Sequence, residues 1–283
     1  MALSALPPLS RFSVGCLLGA RPSRSLSCGR DARAPSKKKH VQLQTAIATS
    51  STSSWLQADG WNQFPGLVHG FSHRIEDQNL ALSKLNAEAL PLYTLKQVHG
   101  DDILTVHQDS HAHARPEADG LMSRESGVLL GIATADCVPV LMVAPGHGLI
   151  AALHAGWRGT LKGISQRAVK MLNDRWQVNP ESVWVALGPA ISPCCYEVGR
   201  DVGEALHERW RTDSAWQPHR EGDKGFLDLR AINRAQCEGI GVPASQIQLV
   251  GPCTFCASPD FASYRREGAE AGRQLSVIGW QKN

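Results

Sequence analysis

From Trp55 onward the chain alternates long apolar runs with short polar breaks. Gly127 to Ala135 (GVLLGIATA), Val138 to Ala144 (VPVLMVA) and Gly148 to Leu153 (GLIAAL) are continuous apolar segments of strand length. Such runs predict strands buried on both faces. Thr160 then offers an N-cap, and Leu161, Ile164, Ala168, Met171 and Leu172 recur at helical spacing, predicting one amphipathic helix. Further on, the pattern predicts strands over Val183 to Leu187, Phe226 to Leu229, Ile247 to Gly251 and Leu275 to Ile278. Helices are expected over Gly203 to Trp210 and Arg230 to Cys237. Strands and helices interleave without strict alternation, which favours an α+β domain with mixed sheets over a doubly wound one. No repeat or linker interrupts residues 55–283, so a single domain is expected there.

Residues 1–54 break this pattern. They are rich in Arg and Ser, punctuated by Pro and Gly, and show no periodicity that would bury a face. Up to Ala58 there are eight Lys/Arg against one acid, Asp31. This composition reads as a transit peptide, or else a disordered leader, rather than a secretory signal. A plastid is favoured over a mitochondrion, and the cytoplasm is the expectation if the leader is not a transit peptide. The leader also accounts for the net charge of +3, because 21 basic and 25 acidic residues remain from Asp59 onward. An acidic body argues against nucleic acid as a partner. No apolar run approaches the roughly 20 residues of a membrane-spanning helix.

Eleven His and eight Cys invite a search for metal or nucleophile chemistry. His99 (LKQVHGDD), Cys137 (ATADCVP) and His154 (ALHAGWRG) each stand at what reads as a strand end followed by Gly or Pro. Two imidazoles and a thiolate suit Zn²⁺, and three protein ligands leave a fourth position open. Packing alone would also explain any one of them, since no short paired motif links the three. Cys137 with His154 also reads as a metal-free cysteine hydrolase pair. Cys253-x-x-Cys256 has metal or redox spacing, but a structural zinc would need a second pair, and adjacent Cys194 and Cys195 are not expected to supply one. His111-x-His113 stands alone in a polar stretch. Arg74, Arg158, Arg265 and Arg266 offer guanidinium groups for an anion, with surface ion pairs as the alternative. No Walker or dinucleotide glycine motif accompanies them.

The ordered motifs VHGFSHR, LKQVHGDD, EADGLM, TADCVPVLM, LHAGWRGT, GPAISPCCYEVG, FLDLRAIN and FASYRREG with a following GR resemble the laccase-domain, or polyphenol oxidase-like, family over about Gly66 to Trp280. That family is better described as zinc-dependent purine nucleoside phosphorylases. The resemblance implies a layered α/β/β/α sandwich and one zinc per chain on His99, Cys137 and His154. It places Arg74, Gln97 and Arg158 at the substrate, with Cys137, Asp136 and Arg74 carrying the chemistry and Asp136 serving as a proton carrier or as an orienting group. The implied activities are phosphorolysis of adenosine, inosine, guanosine and methylthioadenosine, and deamination of adenosine. Partners are then purine nucleosides and phosphate, and an oligomer is compatible with the pattern. The older family name implies a multicopper phenol oxidase, with copper as the alternative metal. Cys256 and the leader depart from the family pattern. The leader reading makes one prediction: organelle-resident mature protein begins between about Pro35 and Ser54, and terminal sequencing that finds Met1 on it rejects the transit peptide.

Overall fold

A computed structural model describes residues 55–75, 77–112 and 114–282. The leader and His113 lie outside the described residues. Three sheets organise the fold. The first runs in the order β1 (Trp55–Leu56), β2 (Leu67–Arg74), β14 (Gln274–Trp280), β6 (Val128–Thr134) and β3 (Leu92–Tyr93). The second runs β13 (Ile247–Leu249), β9 (Trp184–Leu187), β7 (Val138–Ala144), β8 (Leu149–Ala155), β5 (Gly120–Ser123) and β4 (Ile103–Thr105). A small third sheet pairs β10 (Glu197–Gly199), β12 (Lys224–Leu227) and β11 (Trp216–Pro218), all antiparallel. The two large sheets are mixed, since β3 runs parallel to β6, β4 to β5, and β13 to β9, while the other pairs are antiparallel.

The continuous apolar runs are explained by layering. On β7, Leu141 and Val143 pack toward the first sheet with Phe71, Leu130, Ile132 and Ile278, while Val140 and Met142 turn the other way. There they meet α3 (Ile164–Trp176), α4 (Arg200–Trp210) and α5 (Leu229–Gly239) through Ala168, Val169, Leu172, Leu206 and Ile232. The far face of the first sheet carries Val68, Leu129, Leu275 and Val277 against Trp55 and against Ala81 and Leu82 of α1 (Gln78–Ser83). Successive strand residues face opposite layers, so a strand between two apolar layers has no polar face to show. The result is the expected α/β/β/α sandwich with mixed sheets. Truncating a fully buried side chain such as Leu141 to Ala is expected to cost about 2–5 kcal/mol.

Two sequence expectations are corrected. The helix after β8 does not start at Thr160. It begins at α2 (Trp157–Lys162), stops at Gly163 in a left-handed conformation (φ +86°), and restarts as α3. A Cβ at Gly163 would also lie 2.8 Å from the Trp210 ring, whose Nε1 donates to the carbonyls of Thr160 and Leu161. Thr160 is buried inside α2, where its hydroxyl accepts from Asn233 Nδ2. The strand at Phe226 also ends at Leu227, because Asp228 caps α5 by accepting from Ala231 N. The strand β2, by contrast, was not legible as a strand: His69, Gly70 and Ser72 interrupt its apolar pattern, yet His69 and Ser72 are buried.

His69 makes this strand pH-sensitive. Burial lowers its pKa from 6.5 to about 4, and the hydrogen bond that its Nε2 accepts from Ala58 N requires that nitrogen to be unprotonated. Between these values the unfolded chain binds the proton and the folded chain does not, so stability rises with pH. The contribution is complete above 6.5 and is lost as pH falls toward 4, by up to about 3 kcal/mol. In denaturant titrations across this window, His69→Gln, whose amide oxygen can still accept from Ala58, is expected to lose less stability than the unsubstituted protein; parallel pH profiles would refute the assignment.

Candidate metal centre and its surroundings

Three separate parts of the fold meet at one point. Ala135 to Cys137 is the crossing from β6 in the first sheet to β7 in the second. His154 lies near the end of the adjacent β8, paired with Pro139. His99 comes from the loop between β3 and β4, with φ +59°, rather than from the end of an apolar strand. One donor atom from each of His99, Cys137 and His154 lies within 4.8 Å of the others, and the two imidazoles meet edge to face at 4.9 Å. His154 is buried, Cys137 half-buried and His99 exposed, so the group opens to solvent on one side.

The residue that assembles this group is Asp119, within the EADGLM motif, a residue whose type and spacing alone point to no role. It is fully buried just before β5. Its Oδ1 accepts from His99 N (3.0 Å) and stands 2.7 Å from His154 Nδ1, while Oδ2 accepts from Gly100 N (2.6 Å) and Val98 N (3.2 Å). The carboxylate therefore sets the His154 ring so that Nε2 is left for a ligand, the arrangement that orients histidines in metal sites. Burial raises the Asp119 pKa on its own, yet the hydrogen bonds from His154 and Gly100 bring it below the usual value. Burial likewise opposes charge on His154, but Asp119 and the Cys137 sulfur raise it to about 9. Burial would push the Cys137 thiol up, whereas hydrogen bonds from His154 and His99 bring it down to about 7. Both shifts run toward a thiolate–imidazolium pair between Cys137 and His154 when no metal is bound.

Gly156 keeps the group accessible. A Cβ there would lie 3.1 Å from Cys137 Sγ and 3.2 Å from His99 Cδ2, within the space the donors enclose. The donor set and this cradle fit a zinc ion, with His99, Cys137 and His154 as its ligands.

The other sequence candidates surround the triad with distinct roles. Asp136 sits at φ +86°, a conformation that costs a non-glycine residue on the order of 1 kcal/mol and recurs at functional sites. Its Oδ1 accepts from Thr254 Oγ1 (2.6 Å), and its Oδ2 accepts from Ser263 Oγ (3.0 Å) and Arg265 N (2.7 Å). Gln97 uses both ends of its amide on Ala133, donating to its carbonyl and accepting from its N–H. Arg74 is bound by Glu267 at 2.6 Å to both carboxylate oxygens; Arg74 and Arg266 together hold the Glu267 carboxyl down at about 2. Arg74 also lines a pocket of roughly 170 Å³ with His73, Asp77 and Lys84, and none of the three triad residues lines it. Arg158 is exposed, lies 4.4 Å over the Trp157 ring, and makes no hydrogen bond or ion pair among the described residues. Tyr196, unassigned in the sequence, has its phenol pKa raised by burial and by the Cys137 charge, and lowered in part by Arg265 and Arg158. Cys137, Arg158 and Arg265 are thus near enough to Tyr196 for their charges to act on its phenol, with Arg265 5.3 Å over the Tyr196 ring.

In metal-free protein, alkylation of Cys137 is expected to rise through a midpoint near pH 7, rather than the 9.0 of an unperturbed thiol, when followed by peptide mass mapping. Asp119→Asn, which removes the carboxylate holding His154 protonated, is expected to move the midpoint upward by about one unit. An unshifted midpoint in Asp119→Asn would show that Asp119 does not act through His154.

The family described as multi-copper polyphenol oxidoreductase laccase matches residues 72–281. The purine nucleoside phosphorylase YlmD of Geobacillus stearothermophilus is 42% identical over 193 residues, covering 65% of this chain and 70% of that protein. The purine nucleoside phosphorylase YfiH of Escherichia coli is 35% identical, covering 73% and 80%. Adenosine deaminase RL5, from an unknown prokaryotic organism, is 31% identical, covering 78% and 90%. The crystal structure of Geobacillus YlmD superposes with a TM-score of 0.73 at 33% identity, covering 83% of this chain and 98% of that one. By this match, by relatives above 30% identity along most of their length and by the shared fold, the chain belongs to the multi-copper polyphenol oxidoreductase laccase family.

Proposed function

We propose that the protein is a zinc-dependent purine nucleoside phosphorylase that also deaminates adenosine, acting on adenosine, inosine, guanosine and methylthioadenosine. Relatives named as purine nucleoside phosphorylases, and another named as an adenosine deaminase, support an enzyme of purine nucleoside metabolism. The observation that carries the reading is the open triad of His99, Cys137 and His154, with one exposed side and a carboxylate behind it. A zinc ion there would supply Lewis acidity and a water made acidic enough to act at neutral pH. Multicopper chemistry is less well supported, because it needs several coppers. Among the described residues this is the only convergent group of three or more donors that contains histidine.

The chain's own residues suggest a division of labour. Phosphorolysis replaces the purine at the ribose C1′ by phosphate, so it needs a cation beside that carbon; deamination of adenosine consumes water instead. Arg158, exposed and without a counter-ion among the described residues, is the better prepared phosphate ligand. Arg74 would have to leave Glu267 first, and it supports the loop that carries Ser263, whose N–H also reaches Glu267. Asp136 acts as a positioning residue, because three donors already occupy its two oxygens. Gln97 likewise positions the end of β6, immediately before Cys137. For the leader, we propose an organellar address, with a plastid favoured.

The decisive measurement is product identification from adenosine with and without phosphate. Release of adenine with phosphate and of inosine without it supports the assignment; no turnover of adenosine rejects it. Cys137→Ala is expected to abolish both reactions together with zinc binding at the triad, and activity without zinc would favour the cysteine hydrolase. Arg158→Ala is expected to raise the phosphate requirement by about 10- to 150-fold, the range of a lost charge-assisted bond. Deamination should fall far less. Arg74→Ala should lower both reactions together with thermal stability. Equal losses in both reactions for Arg158→Ala would remove it as the phosphate ligand.

A further inference from the structure

Four thiols unused by the triad converge beside it. Cys194 and Cys195 lie in the segment between β9 and β10, and Cys253 and Cys256 follow β13. All four Sγ atoms lie within 4.8 Å of one another, with Cys256 Sγ 3.3 Å from that of Cys195 and 3.7 Å from that of Cys194. None is in a disulfide. Ligands at about 2.3 Å from a tetrahedral ion stand about 3.8 Å apart, so the observed sulfurs are spaced as around one ion.

The expectation that adjacent cysteines cannot share a site is overturned by the local backbone. Cys195 N and Tyr196 N both donate to Ser192 O at 2.9 Å, closing a helix-like turn. Neighbouring side chains in such a turn diverge by about 100° rather than the 180° of a strand, which lets both sulfurs face the same point. The two segments are also joined by a backbone bridge between Ala190 and Cys253, and by Arg230, which donates to Ser192 Oγ and to the Gly251 carbonyl.

Backbone N–H groups converge on one of the four sulfurs. Cys253 Sγ accepts backbone N–H bonds from Ser192 (3.3 Å), Phe255 and Cys256. Such N–H dipoles aimed at sulfur stabilise its anion. Two arginines also brace the loops that carry these cysteines. Arg266 donates to the carbonyls of Thr254 and Phe255, and Arg230 holds Ser192.

We propose that Cys194, Cys195, Cys253 and Cys256 form a closed tetrathiolate site for a structural Zn²⁺, separate from the triad. Four thiolates in tetrahedral array select zinc over oxygen-seeking cations, and the absence of an open position suits a structural ion. Binding converts four thiols to thiolates and releases their protons. The ion's role is to lock the turn ending at Tyr196 onto the loop carrying Thr254, whose hydroxyl holds Asp136 next to Cys137. A metal outside the triad would thereby set the geometry of the triad.

Zinc counting on the full chain, with variants of each site, separates this site from the triad. Two zinc ions per chain in the unsubstituted protein, one in Cys137→Ala and one in Cys256→Ala are expected. One in the unsubstituted protein, one in Cys137→Ala and none in Cys256→Ala would leave the tetrathiolate site standing and remove the triad's metal. One, none and one, in the same order, would overturn the tetrathiolate site. So would iron in place of zinc, or a mass deficit of two hydrogens marking a Cys195–Cys256 disulfide in protein purified without reductant. Should Cys256→Ala fail to fold, Co²⁺ exchanged into the unsubstituted protein decides. A tetrathiolate site shows intense thiolate-to-cobalt charge transfer on a tetrahedral ligand-field spectrum, and the single thiolate of the triad alone gives only a weak band.

Discussion

A buried carboxylate holds this site together. Asp119 is removed from water, and leaving one partner of a buried charge unmatched costs about 3–5 kcal/mol. It is answered by three consecutive backbone N–H groups of Val98, His99 and Gly100 and by the ring of His154. The need to satisfy that charge folds the 98–100 loop onto the end of the second sheet. It also brings His99, with its left-handed backbone, to the only place where it meets His154 and Cys137.

A second carboxylate works in the same way on the other side of Cys137. Asp136, strained at φ +86°, gathers Thr254, Ser263 and the N–H of Arg265 from loops more than a hundred residues away. The strain is local and modest, and the three hydrogen bonds offset it. Both carboxylates are therefore scaffolding, and neither has a free oxygen pair for substrate. Arg74 is likewise engaged, by Glu267, whereas the exposed Arg158 has no ion-pair partner among the described residues.

The layering places this machinery. The crossing from β6 to β7 carries the chain from one sheet to the other, so Cys137 sits at the seam where both sheets end. Small residues keep the seam open: Gly156 leaves room for Cys137 and His99, and any side chain there would press on both. The turn and loop that carry the four other cysteines lie close to the same seam, where Thr254, next to Cys253, donates to Asp136, next to Cys137.

Much of this was legible in the chain itself. The uninterrupted apolar runs identified β6, β7 and β8 because strands covered on both faces need no polar alternation, and the triad was readable from residue type and motif order. The strand β2 was not, because His69 and Ser72 are buried polar residues whose partners come from elsewhere in the fold. Nor could spacing show that Asp119, 35 residues before His154, would orient it, or that Arg74 would be taken by Glu267, 193 residues away. The adjacency of Cys194 and Cys195 argued against a shared site only under the assumption of extended backbone. A turn, set by the Ser192 carbonyl, reverses that conclusion. Residue type and local pattern determined the strands and the donor chemistry; which donors converge depended on long-range closure, since a contact between distant residues is decided by the packing of the layers that carry them.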